Sequence, residues 1–179
     1  MKYLLAILLA ATPALAPAQS WTVDHDHSTL GFSGSYDGGP FRGVFKTFDA
    51  AITYDPADLA GARFDVTVDL ASVDTNSTER DDMLKGSDFF DLERTPKAHF
   101  VTTAFRTDAS GAVTAQGTLE LHGITQPVTL TVTFTPDGEH ATLDVRTTLQ
   151  RADWKLGDGT DWEAISADIA VEASLRLVR

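Results

Sequence analysis

Apolar and polar residues alternate along most of this chain, which is the pattern of β-strands that bury one face and expose the other. The alternation is strict in ARFDVTVDL, where Phe64, Val66 and Val68 are separated by an aspartate and a threonine. Turn signals such as Asp-Gly and Gly-Gly-Pro separate the alternating stretches and favour hairpin connections. We predict about eight strands, over residues 21–36, 41–54, 62–70, 97–107, 113–122, 128–134, 141–149 and 165–177.

The segment between the third and fourth of these strands is where the alternation stops. Asn76 or Thr78 can cap a helix there, with an acidic residue three positions on as the capping-box partner. Lys85 and the following Gly86 are stop signals. The pattern therefore predicts a short helix over about residues 77–85.

A second turn follows this helix. Ser87 begins the turn, Phe89 and Phe90 are its apolar residues, and Pro96 returns the chain to extended geometry. The helix and the turn together form one short helical insertion near residues 77–91. Because no other helix is predicted, its apolar side chains must pack on the sheet or close one end of it.

In two of the predicted strands, the face that the apolar residues occupy depends on how the alternation is interpreted. Near residues 104–105 the apolar residues switch from one set of alternate positions to the other, which predicts a β-bulge. The stretch 41–54 is interpreted as a single strand, which places Val44 and Phe48 on one face and Phe45 on the other.

Consecutive strands joined by short turns pair as antiparallel neighbours, and each strand has one apolar face that must be covered. One short helix is too little to cover the sheet, so the sheet must curl into a barrel or fold into a sandwich. We favour an all-β fold in which about eight antiparallel strands form a barrel.

Length and charge add limits to this fold. The chain has 179 residues and a formal net charge of -12, which suits one acidic domain and disfavours nucleic acid as a partner. Residues 1–18 combine a basic start, a short apolar run and small residues near Ala18, so we predict a cleavable signal peptide and a domain over 19–179. No cysteine is available for disulfides.

Few residues suggest metal binding or catalysis. His25 and His27, interleaved with Asp24 and Asp26, contain metal-ligating groups, but no third His or Cys lies at a diagnostic spacing, so a structural or surface role is favoured. The acidic loop around Asp158 lacks the ligand spacing of an EF-hand. No nucleophile elbow, phosphate loop or Cys-His pair is present, so we predict a protein that is not an enzyme.

Two further sites keep alternative interpretations open. Arg80 and Asp81 can form an ion pair that ties the insertion to the barrel, which we favour, or Arg80 can face the head group of a ligand. Trp154 and Trp162 lie in one loop and can form a lid or an end plug, or simply pack.

The chain also resembles a known family. WTVDHDHSTLGF, FRGVFKTFDAAITYDP, SVDTNSTERDDML, TPKAHF, GTLELHGITQPVTL and RADWKLG occur in the order and spacing seen in the YceI-like family of polyisoprenoid-binding proteins. Members of that family form an extended, lipocalin-like barrel. In one departure, Met83 stands where the family commonly has a histidine, which makes the mouth of the predicted barrel more apolar.

The resemblance implies a periplasmic binding or carrier protein for a long isoprenoid lipid, either a polyprenyl or a quinone-type molecule. A membrane protein that exchanges the lipid is a possible partner, as is a second copy of the chain. The alternative is a filled barrel that acts in stress response or docks a membrane redox partner. On the carrier interpretation we predict a lipid-binding surface formed by Phe32, Phe64, Val66, Val68, Leu70, Met83, Phe89, Phe90, Phe100, Leu119, Leu121, Trp154 and Ile169.

Whether the barrel has room for a lipid depends on the size of its inward side chains, since eight strands enclose a space that side chains can fill. Small residues at inward positions indicate either a tapered, filled barrel or a cavity, and the resemblance favours the cavity. The small residues predicted to face inward are Ala62, Ala115, Gly117, Ala141, Ala167 and Ala173.

Overall fold

The computed structural model describes residues 19–179, so the predicted signal peptide lies outside the described residues. No helix within this range is long and apolar enough to cross a membrane. The described chain contains one α-helix and ten strands. The elements are β1 (Ser20–Tyr36), β2 (Gly39–Phe45), β3 (Phe48–Thr53), β4 (Arg63–Asp69), β5 (Val73–Asp74), α1 (Thr78–Lys85), β6 (Lys97–Thr107), β7 (Val113–Leu121), β8 (Ile124–Asp137), β9 (His140–Gln150) and β10 (Asp168–Val178).

Eight of the strands form a closed antiparallel barrel in the order β1, β3, β4, β6, β7, β8, β9 and β10. Pairing of β10 with β1, from Thr22 opposite Val178 to Ser33 opposite Ala170, completes the ring. The all-β prediction and the predicted strand number of the barrel are confirmed. Closure leaves no open sheet edge along these paired segments, and it turns the apolar face of every strand towards a common interior.

The two additional strands, β2 and β5, extend the wall at one end of the barrel. The first two residues of β1 pair with β3, whereas its last six, Gly31–Tyr36, pair with β2. A register shift between Asp24 and Thr29 bends β1 between these regions. β2 therefore continues the barrel wall beyond the end of β3 and pairs with β5.

The break between β2 and β3 corrects one prediction. Residues 41–54 are not a single strand, because Lys46 and Thr47 leave the ladder and their backbone amides donate to Ser72 instead. Because this interruption shifts the inward–outward alternation by one residue, both Phe45 and Phe48 pack inward. Val44, which was predicted to share a face with Phe48, is 40% exposed.

The predicted bulge in β6 is confirmed between Thr102 and Ala104. The β4–β6 ladder stops beside it, which would leave the backbone of Phe64 without partners in the interior. The buried Thr102 hydroxyl replaces the missing ladder, since its Oγ1 accepts from the Phe64 amide at 2.9 Å and donates to the Phe64 carbonyl at 3.3 Å. A buried polar side chain is thereby fully paired.

The predicted helical insertion is present, but its cap differs from the prediction. Ser77, not Asn76 or Thr78, is the N-cap, and its Oγ accepts from the Arg80 amide at 3.4 Å. Asn76 has a φ of 58°, a left-handed conformation that asparagine tolerates, and it turns the chain into the helix. Asp81 does not complete a capping box, because its Oδ1 accepts from the Thr75 amide and hydroxyl.

One end of the barrel interior is filled by aromatic side chains. Tyr54 lies at the centre of this cluster, with its ring centre 5.7 Å from that of Phe64, 5.8 Å from Phe105 and 5.0 Å from Phe134. Trp21 packs edge-on against Phe134 and donates its Nε1 proton to the Tyr54 carbonyl at 2.9 Å. This aromatic cluster forms a floor across the barrel.

The barrel wall has a gap at the opposite end. β8 and β9 pair only from Asp137 opposite His140 to Thr131 opposite Arg146, although both strands continue. Beyond that point the Thr147 hydroxyl donates to the Thr129 carbonyl at 3.0 Å, so a side chain joins the strands where backbone bonds are missing. We call residues 124–130 and 147–150 the β8–β9 gap.

The gap predicts uneven protection along β9. Residues 140–146 pair with neighbours on both sides, whereas residues 147–150 pair only with β10. Successive amides of a strand point to opposite neighbours, so those amides of 147–150 that point towards β8 lack a ladder bond and should exchange with deuterium faster than the amides of 140–146. Hydrogen exchange resolved to single residues by NMR tests this expectation, and uniform protection along β9 would contradict the gap.

Candidate functional site

A cavity of about 760 Å³ lies between the aromatic floor and the helical insertion. This volume is within the range of sites that hold small molecules, roughly 300–1,000 Å³. Its lining is overwhelmingly aliphatic and aromatic and comes from all eight barrel strands, from β2 and from α1. The closed barrel thus encloses an apolar chamber rather than a fully packed core.

The residues predicted to bind lipid all lie on the wall of this cavity. Strict alternation along β4 brings Phe64, Val66 and Val68 to the inside, and Leu119 and Leu121 reach it in the same way from β7. The structure thus brings together side chains that are far apart in sequence. Their contact with a ligand stays a prediction.

Two glycines let aromatic rings lie against the wall instead of crossing the chamber. A Cβ built on Gly43 would overlap the Phe32 ring, and one on Gly117 would be only 2.6 Å from the Phe100 ring. Such distances mean that each ring covers the space where a side chain would stand. The rings therefore line the cavity without filling it.

Most of the small residues predicted to face inward do so, although few of them line the cavity. Of that set only Ala173 lines the cavity, while Ala115 and Ala141 are fully buried in the cluster around the aromatic floor, where they make room for large rings. Ala167 is exposed, because it lies just before β10 begins at Asp168. Open space in this barrel therefore does not follow from counting small inward residues.

The helical insertion closes the chamber through its phenylalanines. The Phe90 ring centre lies 5.9 Å from that of Phe45 on β2, and the Phe89 ring meets Trp162 edge-on at 5.0 Å. Gly157, with a φ of 59°, lies directly against the Phe89 ring. Its amide donates to the Asp88 carbonyl at 2.6 Å, so the loop that carries both tryptophans is bound to the insertion.

The two tryptophans of that loop differ. Trp154 is 2% exposed and donates its Nε1 proton to the Leu119 carbonyl at 3.3 Å, so it is packed in the wall as well as lining the cavity. Trp162 also lines the cavity, but it is only partly buried and donates to Asp88 Oδ2 at 3.1 Å. Trp154 is therefore a packed residue of the wall, whereas Trp162 lies at the rim of the cavity.

The cavity reaches the surface in two places. At the first, which we call the mouth, the lining includes the exposed residues Pro40 and Glu79 and the 53% exposed Tyr36. The second is the β8–β9 gap, where the exposed Arg146 and the neighbouring Thr147 line both the cavity and a groove on the outer wall. The chamber is thus open to solvent at the mouth and at the side.

Arg80 stands at the mouth in an arrangement that corrects another prediction. It forms no ion pair with Asp81, whose carboxylate is bound to Thr75 instead. Arg80 Nη1 donates to the Thr75 carbonyl at 3.3 Å, and its guanidinium carbon lies 5.9 Å from the centre of the Phe41 ring, a cation–π contact. The insertion is joined to β2 through this ring.

A second arginine in the lining has a structural role. The three side-chain nitrogens of Arg151 donate to backbone carbonyls of the following loop, and no carboxylate is needed to satisfy them. These carbonyls belong to Leu156, Gly157, Trp162, Ile165 and Ser166. Arg151 therefore fixes the shape of the loop beside the mouth.

Several lining residues escaped the sequence prediction. Phe41 and Phe45 were missed as lining because β2 was merged with β3, although the lysine and threonine between them are a polar interruption that could have revealed the break. Leu130 and Leu149 lie at inward positions of alternating strands, so the pattern already contained them. Ile165 begins the last predicted strand at the same alternate positions as Ile169, so the pattern contained it as well.

Charged pairs with shifted pKa values lie on the outside of the barrel. A hydrogen bond from His99 and a second from Arg63 lower the pKa of Asp65, and contact with His27 lowers that of Asp24. No group of three His, Cys, Asp or Glu residues suited to a metal ion occurs within residues 19–179. The cavity offers apolar surface rather than paired acid and base groups.

Comparison with known proteins agrees with this architecture. The family described as YceI-like domain matches residues 21–177. A UPF0312 protein of Pseudomonas putida strain W619 is 33% identical over 173 residues, which cover 92% of this chain and 90% of that protein. A UPF0312 protein of Vibrio vulnificus strain YJ016 is 33% identical over 135 residues, covering 74% and 71%.

Solved structures show the same fold. BcnA of Burkholderia cenocepacia superposes with a TM-score of 0.81 at 28% identity, covering 87% of this chain and 99% of that one. A polyisoprenoid binding domain from Saccharophagus degradans, implicated in plant cell wall breakdown, has a TM-score of 0.68 at 17% identity, covering 90% and 98%. At 17% identity, the similarity to this second structure shows the fold alone.

The glycine beneath Phe100 gives a testable prediction. Gly117→Ala places a methyl group against the Val101 carbonyl and the Phe100 ring, and the backbone oxygen cannot move without disturbing the ladder. We expect a loss of about 1–3 kcal/mol in the free energy of unfolding, as for overpacked cores, measured by urea denaturation. Gly39→Ala is the control, because its Cβ would meet only the Tyr36 carbonyl at 3.4 Å. Equal stability of both variants would contradict this account of the wall.

Proposed function

The chain belongs to the YceI-like family, and from that premise we propose that it binds an isoprenoid lipid whose apolar chain occupies the barrel cavity. The observation that carries the proposal is a chamber of about 760 Å³ with an apolar wall and an open mouth. A flexible hydrocarbon chain suits such a chamber because it needs contact area and few fixed polar partners. Each buried methylene contributes about 0.8 kcal/mol, so contact alone can supply the affinity.

The energetics of the cavity support a bound ligand. Closed, dry cavities cost about 24 cal/mol per Å³, so a chamber of about 760 Å³ would be strongly destabilising if it were both empty and dry. Water can enter through the mouth, but the lining offers it few hydrogen-bonding groups. An apolar ligand in contact with the wall gives the lowest free energy for this chamber.

We propose further that the protein acts as a periplasmic carrier. The support is residues 1–18, which have the composition of a signal peptide, and the absence of a catalytic motif in the sequence. The cargo would be a polyprenyl or quinone-type lipid, received from or delivered to a membrane protein. Self-association as a homodimer stays a prediction from the sequence.

The alternative of a filled barrel that only docks a partner has less support. Side chains fill the interior at the aromatic floor, but they leave the chamber above it open. A protein that acts through its outer surface alone would have no need of such a chamber. The carrier proposal uses this feature.

The direct test is to identify what the protein contains when it is made in cells. Protein purified gently, without detergent, should release an isoprenoid lipid into an organic extract, detected by mass spectrometry. A denatured and refolded sample is the control for carry-over. An extract free of lipid, from protein that also fails to bind added isoprenoid, would overturn the proposal.

A charge placed inside the chamber should abolish binding. Val68→Arg introduces a guanidinium into the apolar wall, where neither a lipid chain nor a neighbouring carboxylate can compensate its loss of hydration. Thr67→Arg is the matched control, because the adjacent residue on a strand points to the opposite face. We expect lipid content to fall to background in folded Val68→Arg and to stay unchanged in Thr67→Arg, as measured by mass spectrometry with circular dichroism as the check on folding. Full lipid content in folded Val68→Arg would remove this residue from the binding surface.

A further inference from the structure

Three arginines line the cavity, and two of them are already engaged. Arg151 donates to five backbone carbonyls. Arg146 lies at the β8–β9 gap, where its Nε is 3.5 Å from Glu172 Oε1. Arg80 differs, because its one side-chain hydrogen bond goes to the Thr75 carbonyl and no carboxylate lies within 4.0 Å of it among the described residues.

The position of Arg80 makes this lack of partners informative. A guanidinium has five N–H donors, and most of those of Arg80 have no acceptor within residues 19–179. The side chain is not extended freely into solvent, since it is partly buried, lies over the Phe41 ring and is held at the Thr75 carbonyl. A positive charge is therefore held in place at the edge of an apolar chamber, with unused donors.

We propose that Arg80 binds an oxyanion, a phosphate or a carboxylate, at the head of the lipid. This inference rests on the proposed function and names the chemical class of its ligand. Guanidinium donors match the geometry of phosphate and carboxylate oxygens, and hydrogen bonds between such charged groups are stronger than neutral ones. The apolar chain would fill the chamber while the charged head stays at the mouth, where it keeps contact with water.

The surrounding charges define which anions can bind. Glu79 also lines the mouth, and the whole chain carries a formal net charge of -12. A free anion therefore gains little from Arg80, because it is repelled by its surroundings and brings no apolar area. An anion attached to a hydrocarbon chain gains the burial of that chain as well. The site should accordingly select anionic amphiphiles and ignore free phosphate.

The test compares three probes that share parts of the ligand. Delipidated protein is titrated with farnesyl phosphate, with farnesol and with inorganic phosphate, and binding is followed by calorimetry. We expect the dissociation constant of farnesyl phosphate to be about ten to one hundred times lower than that of farnesol, the worth of a charged hydrogen bond. Inorganic phosphate alone should show no binding.

Variants test whether Arg80 causes the preference for farnesyl phosphate over farnesol. Arg80→Gln should bring farnesyl phosphate to the affinity of farnesol while leaving farnesol binding unchanged. Arg80→Lys should retain part of the preference, because it keeps the charge without the planar fork. Arg42→Gln is the matched control, since this arginine is exposed on β2 and does not line the cavity, and it should leave the preference intact.

The outcomes separate this inference from the proposed function. Equal affinities for farnesol and farnesyl phosphate in the wild-type protein, or a full preference in Arg80→Gln, would overturn the head-group inference and leave the lipid-binding proposal standing. Failure of both lipids to bind would overturn both. If Arg80→Gln does not fold, salt dependence of the wild-type protein decides. The preference for farnesyl phosphate should shrink as ionic strength rises, while farnesol binding should not weaken, and a preference insensitive to salt would count against Arg80.

Discussion

The hydrogen bonds that join β1 to β10 are the interaction on which the rest of this structure depends. Without them the strands would form an open sheet with one apolar face in water, and one short helix could not cover it. Closure with eight strands also fixes the diameter, which leaves room for side chains or for one slender ligand. Because the chain has no cysteine, these bonds and the interior packing hold the ring without a covalent link.

The limited interior is divided between two uses. At one end Tyr54 and its aromatic neighbours fill the barrel, with Ala115 and Ala141 providing room for their rings. At the other end Phe32 and Phe100 lie flat over glycines, which keeps the axis open. The same residue types, aromatic and small, thus produce a solid floor in one half and a chamber in the other. What differs is whether the ring points across the barrel or along its wall.

The sequence was sufficient for the architecture and for part of the chamber wall, because strict alternation decides which side chains face inward. This holds for β4 and β7, where Val68 and Leu119 lie as predicted. It fails where alternation is broken by backbone contacts distant in sequence, as at Lys46 and Thr47, whose amides bind Ser72. The partner of Arg80 could not be predicted either, since Thr75 competes for Asp81 through a turn geometry that residue order does not specify.

The separation of floor from chamber has an evolutionary consequence. Exchanges at wall residues that lie outside the floor cluster, such as Val66, Ile169 and Val171, alter the shape of the space but leave the aromatic floor and the hydrogen-bonded ring in place. At such positions the shape of the chamber can therefore change independently of the packing that stabilises the barrel. A sequence only about a third identical to this one can therefore keep the same ring and floor while its chamber differs in length or breadth.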